Sequence, residues 1–225
     1  KAGVLYIVYG KQSLQATVSP TATPTASTIA PTAAPTVLTQ YHTAQNLSSF
    51  VPGPRGMRIF GATTGDVLGM SITPIGDVNN DGFPDFAVAA PNYQYINRTF
   101  SGAVYIIFTQ PGVLGIDLLN FVAGPTTGFR IFGANPNDRL GQTSIASGDF
   151  NKDGNVDLLI GARYARNVYG AYFISLSAWV SNGYRDLDLA SFTAGTMGFK
   201  LIGPSPTLFG LGQSVSFGDV NSDGI

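Results

Sequence analysis

The chain has 225 residues, a formal net charge of −1 and 11% charged residues, and all 13 of its acidic residues are aspartate. With no cysteine and a single histidine, His42, it lacks the side chains that zinc, iron–sulfur and haem–thiolate centres or Cys and Ser/His nucleophiles mostly need. Twelve Lys and Arg leave no basic excess for nucleic acid, and 28 Gly and 14 Pro without any Glu disfavour a helical architecture.

In chain order, the first element is a β-rich run, GVLYIVY from Gly3. Apolar runs of this kind, Val4–Tyr9 and later Ala103–Phe108, are too short to cross a bilayer. No leader peptide is legible before the first run, and the chain stops inside a motif, so both ends read as cut from something longer. An insertion at about 11–39 follows, centred on the Thr, Ala, Pro and Ser tract Thr17–Thr36. Such a composition cannot build a core and favours extended, solvated chain, either an O-glycosylated loop or a plain spacer. Beyond it lies Asn46-Leu47-Ser48, an N-glycosylation acceptor, and Asn97-Arg98-Thr99 is a second.

From Arg58 the sequence repeats itself, with a period of about 70–72. RIFGA at Arg58 recurs at Arg130 and again, as KLIGP, at Lys200. An Asp-rich loop keeps step at the same offset beyond each of these: GDVNNDG from Gly76, GDFNKDG from Gly148 and GDVNSDG from Gly218. The β-rich element also recurs, as GAVYIIF from Gly102 and GAYFISL from Gly170. Each unit reads as four short strands, in one copy 129–133, 142–147, 156–161 and 170–176, separated by turn-forming Gly, Asn, Asp and Pro. Four strands per repeat is the unit of a β-propeller blade, so the expected fold is all-β, with blades of four antiparallel strands.

The Asp-rich loops carry the candidate chemistry. Asp77, Asn79, Asp81, Phe83 and Asp85 occupy positions 1, 3, 5, 7 and 9 of D-x-N-x-D-G-x-x-D, and Asp149, Asn151, Asp153, Asn155 and Asp157 occupy them again. Asp219, Asn221, Asp223 and Ile225 begin a third copy that lacks its ninth position. Alternate residues of a tight loop can point inward, glycine at position 6 accepts the sharp turn, and the variable position 7 suits a backbone carbonyl. Three carboxylates within one short loop repel one another unless a cation lies between them, and hard oxygen donors suit Ca²⁺ better than Mg²⁺. Two complete calcium loops and a truncated third are therefore expected. An EF-hand is excluded, because Val88 and Ile160 stand where its twelfth-position Glu would be, and strand-like sequence follows each loop.

These residues resemble the FG-GAP repeats of integrin α-subunit β-propellers and related proteins. The resemblance rests on Phe60-Gly61 and Phe132-Gly133, on Gly69-Met70-Ser71 and Gly212-Gln213-Ser214, on the loops, and on the GAP-like Ala89-Ala90-Pro91. It departs at Gly161-Ala162-Arg163 and Ile202-Gly203. It implies a multi-bladed, usually seven-bladed propeller with calcium loops between adjacent strands of several blades. The chain is then a segment, 1–225, of a larger propeller, or its blades are completed by neighbouring chains.

The function expected is that of an extracellular, secreted or cell-surface, calcium-binding glycoprotein with an adhesion or scaffold role and no catalytic residues. The alternatives are a propeller appended to a secreted hydrolase, similar to phosphatidylinositol-glycan-specific phospholipase D, and a carbohydrate-binding propeller using Tyr93, Tyr95, Tyr164, Tyr169 and Trp179. Outside the loops only Asp66, Asp117, Asp138, Asp186 and Asp188 remain as acids. Asp66 and Asp138 occupy the same place in successive repeats, which suggests a structural role, and the Asp186/Asp188 pair reads as a solvated turn. The expected partners are a protein or glycan ligand, or a second copy through blade completion, with no nucleic acid and no transmembrane segment in this chain.

Overall fold

The computed structural model describes residues 4–8, 51–53, 56–162, 170–181, 183–203 and 211–218. The insertion at 11–39, Asn46, Tyr164, Tyr169 and the third loop with Asp219, Asn221, Asp223 and Ile225 lie outside the described residues.

The described chain is all-β apart from short helical turns. In chain order the strands are β1 (Val4–Val8), β2 (Gly56–Phe60), β3 (Ile72–Gly76), β4 (Asp85–Ala90), β5 (Ala103–Ile107), β6 (Gly115–Asp117) and β7 (Gly128–Phe132). They continue with β8 (Ile145–Gly148), β9 (Asp157–Ala162), β10 (Gly170–Ser175), the one-turn helix α1 (Leu176–Val180), β11 (Leu187–Asp188) and β12 (Gly198–Ile202). Three sheets result, in the orders β1-β2-β6, β11-β7-β5-β4-β3 and β12-β10-β9-β8.

Within each sheet the pairings are antiparallel, except where a short strand from the following repeat joins in parallel at the outer edge of the first two. There Ile116 lies opposite Ile59, and Leu187 opposite Ile131. This placement corrects the four-strand unit read from the sequence. The strand opening that unit, β7, pairs with β5 and belongs to the preceding sheet, and β12 fills the fourth place beside β10. Repeat and sheet are offset by one strand.

The second sheet is covered on both faces, which explains why β4 and β5 read as unbroken apolar runs and are buried at every position. Alternation along a strand divides their side chains between two cores. Phe86, Val88, Tyr105 and Ile107 pack with Met57 and Ile59 of β2, together with Leu118 and Phe132. Ala87, Ala89, Val104 and Ile106 pack with Ile145, Leu158, Ile160 and Ile174 of the third sheet. Full burial of a side chain such as Ile106 contributes about 2 kcal/mol. Successive repeats are also clasped by hydroxyls: Ser71 Oγ donates to Gly141 O at 2.7 Å, and one repeat on Thr143 Oγ1 donates to Gly212 O at 2.9 Å.

Asp66 and Asp138 have the structural role their spacing suggests. Both are buried, and each carboxylate caps the turn after the Phe-Gly pair, accepting from Thr63 N and Leu68 N in one repeat and from Asn135 N in the next. Asp186 and Asp188 differ from expectation, because they are not left to solvent. Asp186 accepts from the backbone N and Nε of Arg130 at 2.8 and 3.1 Å, and Asp188 takes both Arg98 terminal nitrogens at 2.7 Å. Burial alone would raise the Asp188 carboxyl, but the Arg98 and Ala190 donors outweigh it and hold it below the ordinary carboxylate range.

Candidate metal centre

Each described Asp-rich loop joins two neighbouring strands of its sheet, β3 to β4 and β8 to β9. The backbone enters the left-handed region twice per loop, at Asn80 (φ 58°) and Gly82 (φ 91°), and again at Lys152 (φ 58°) and Gly154 (φ 82°). Position 4 is a non-glycine residue held there by the loop's own hydrogen bonds, and position 6 is the glycine that the pattern requires.

The two loops share nearly one hydrogen-bond scheme. The position 1 carboxylate accepts from the N–H groups at positions 5 and 6: Asp77 from Asp81 and Gly82 at 3.0 and 2.8 Å, Asp149 from Asp153 and Gly154 at 3.1 and 2.9 Å. The position 3 side chain accepts from the position 5 N–H and donates its amide to the position 5 carboxylate. That carboxylate in turn accepts the N–H of position 7, from Phe83 at 3.0 Å and Asn155 at 2.8 Å. At position 9, Asp85 and Asp157 are buried where positions 1 to 7 are largely exposed, and each accepts the N–H of position 2, from Val78 and Phe150, at 3.0 Å.

The expected ligand residues of both described loops are therefore brought together, but their carboxylates face their own backbone N–H groups. Among the described residues no three Asp or His side chains form a group poised around a single ion. An N–H concavity offers partial positive charge, and it occupies the acidic oxygens here.

Electrostatics separate the positions. Burial, opposed by the Thr109 and Val78 N–H groups and reinforced by Asp81 and Asp77, raises the Asp85 carboxyl to about 6. Burial likewise raises Asp157, against the Phe150 N–H and the nearby Ser175 hydroxyl. Asp153 is shifted the other way, chiefly by the Asn155 N–H and side-chain amide.

Two residues at the loops carry no signal in the D-x-N-x-D-G-x-x-D pattern. Thr109 donates its N–H to Asp85 Oδ1 at 2.9 Å and its hydroxyl to Pro84 O, while Ser177 donates its hydroxyl to Asp153 Oδ2 at 3.0 Å. They stand at the same offset from Gly102 and Gly170, so aligning the β-rich elements would have flagged them.

Of the aromatic residues expected to stack on sugars, the three that are described, Tyr93, Tyr95 and Trp179, make contacts within the fold. Tyr95 stacks on Phe132 with ring centroids 3.7 Å apart and has Arg98 5.0 Å from its own centroid, and Tyr93 stacks on the same Phe132 at 5.9 Å. Trp179 donates its indole N–H to Arg185 O. No helix among the described residues is long and apolar enough to cross a membrane.

The family model described as FG-GAP repeat matches residues 69–107 and 141–176, one match over each complete loop. Phosphatidylinositol-glycan-specific phospholipase D of Bos taurus is 35% identical over 95 residues, and that of Mus musculus 40% over 87. Integrin alpha-X of Homo sapiens is 38% identical over 99 residues. These alignments cover 42%, 38% and 43% of the chain and 11%, 10% and 8% of the respective relatives, so the chain spans about a tenth of their length.

Proposed function

For a chain that carries two FG-GAP repeats, we propose the role of a calcium-stabilised segment of an extracellular β-propeller that serves adhesion or scaffolding rather than catalysis. The three sheets are then neighbouring blades, and each parallel outer strand laps one blade onto the next. The observation that carries the reading is the buried Asp157, whose Oδ1 has no hydrogen-bond partner although it closes a loop that carries an oxygen-bearing side chain at each of positions 1, 3, 5, 7 and 9. An unpaired buried carboxylate oxygen is costly, and a hard cation would satisfy it.

Asp77, Asn79, Asp81, the Phe83 carbonyl and Asp85 would hold one ion, and Asp149, Asn151, Asp153, the Asn155 carbonyl and Asp157 the other. Bound calcium supplies two positive charges among three carboxylates. The N–H contacts to the side chains at positions 1 and 5 organise the loop backbone beforehand. Titrating calcium into chelator-treated protein while following thermal unfolding tests the reading. An unchanged melting temperature at millimolar calcium would overturn it.

An extracellular location places Asn97 within reach of glycosylation. Asn97 lies in the turn closed by the Arg98 N–H on Tyr95 O and Thr99 in the next, closed by the Ser101 N–H on Arg98 O, between the exposed Ile96 and Phe100. A glycan there would cover both apolar side chains.

A propeller segment attached to a secreted hydrolase is the second reading. It is favoured by the phospholipase D alignments, which cover as much of the chain as the integrin one. A catalytic domain in flanking sequence separates the two readings.

A further inference from the structure

The two loops differ at position 9, in the residue that closes each from below. Both Asp85 oxygens are engaged: Oδ2 accepts from Val78 N at 3.0 Å and Oδ1 from Thr109 N at 2.9 Å. Asp157 repeats the first contact through Phe150 N, but its Oδ1 has no partner, and the residue is fully buried. The Ser175 hydroxyl and the Asn151 N–H both act on this carboxyl, but neither reaches Oδ1 with hydrogen-bond geometry, and the Ser175 hydroxyl has its contact at 3.3 Å with Ser177 Oγ. The cause lies in the segment leaving the third strand of each sheet. After β5 the chain runs on without winding, and Thr109 turns its N–H onto Asp85. After β10 it winds at once into α1, so Ser177 is inside a helical turn and reaches the loop only through its hydroxyl, on Asp153.

Resting on the calcium reading above, we infer that the two loops bind calcium unequally and that the second loop, Asp149–Asp157, fills first. In the first loop an arriving cation must share Asp85 Oδ1 with an N–H that already satisfies it. In the second loop the corresponding oxygen is buried and unpaired, so coordination adds a partner where there was none. A neutral oxygen is also close at hand, because the Ser177 hydroxyl donates to Asp153 Oδ2 at 3.0 Å. Hydrogen bonds to charged groups are worth enough that competition for one oxygen separates the affinities by about tenfold.

The experiment compares two versions of the full chain, both carrying Asp219→Asn and Asp223→Asn to silence the third loop. One adds Asp77→Asn and Asp81→Asn, and the other adds Asp149→Asn and Asp153→Asn. Calorimetric calcium titration of chelator-treated protein reads each remaining loop, with circular dichroism confirming that each variant keeps its β spectrum. The version retaining Asp149–Asp157 is expected to bind about tenfold more tightly. Replacing Thr109 with Pro removes the N–H on Asp85, and in the version retaining Asp77–Asp85 it should narrow that gap. Equal affinities, or a tighter first loop, overturn the ordering and leave the calcium reading standing. Absence of saturable binding in both versions overturns the calcium reading and the ordering with it.

Discussion

Asp85 links the loop to the acid-base behaviour of the fold. In the metal-free chain its carboxyl stands at about 6, against an ordinary value of 3.8, chiefly because it is buried. The folded state therefore holds this proton more tightly than the unfolded state does. Asp85 imposes no penalty below pH 3.8, and a penalty grows as pH rises from there to about 6 and levels off above it. A shift of this size corresponds to roughly 3 kcal/mol lost by pH 7. Asp85→Asn removes the charge and should flatten that part of the profile, at the cost of one acceptor for Val78 or Thr109. The assay is urea unfolding in chelator between pH 4 and 7, comparing the slopes of the two proteins rather than their absolute stabilities. Calcium should reverse the sign, because a bound cation favours the ionised carboxylate. Near ~10 mM it should add about 1–3 kcal/mol per site at neutral pH if affinity lies in the extracellular range. Parallel pH profiles for the wild type and Asp85→Asn in chelator would refute the reasoning.

Tyr105→Phe should stabilise the chain by about 1 kcal/mol in urea unfolding, because the Tyr105 hydroxyl is buried without a partner. Gly133→Ala should cost about 3 kcal/mol, since a Cβ there would overlap the Ser101 carbonyl. Gly61→Ala meets the Asp66 carboxylate instead, and unfolding curves should show it as the milder change. A double-mutant cycle on Arg98 and Asp188, whose side chains are 14% and 31% exposed, should give a coupling of about 1–2 kcal/mol that shrinks with added salt. In protein directed through a secretory pathway, Asn97→Gln should abolish an enzymatically removable glycan mapped to that residue by mass spectrometry.

What the sequence made legible was periodic and local. The return of RIFGA at Arg130 announced a repeat, the β-branched and aromatic run VYIIF announced a strand, and the same glycine in both described Asp-rich loops, Gly82 and Gly154, announced the left-handed turn. The remainder depended on pairing across the chain. Nothing near Phe129 tells whether β7 opens one sheet or closes another, because both alternatives bury the same face. Ile116 and Leu187 lie in segments too short to show a period, so the parallel strands around them had no signature. Asp186 and Asp188 looked like turn residues because their arginine partners are distant in sequence, at Arg130 and Arg98. The unequal surroundings of Asp85 and Asp157 were hidden for a related reason, since the difference arises in the backbone at Thr109 and Ser177 and not in the loop motif.

The lap of β6 onto β2 and of β11 onto β7 bears on how such a protein can be shortened or lengthened. Excising one repeat at the ends of a sheet would leave one edge bare and send a strand to a neighbour no longer there. A clean deletion must remove a stretch that begins and ends at equivalent points inside the lap, so that every outer strand keeps a successor. Gain and loss of repeats should then occur by recombination between equivalent positions rather than at sheet boundaries, and the joint would pass unnoticed in the folded protein.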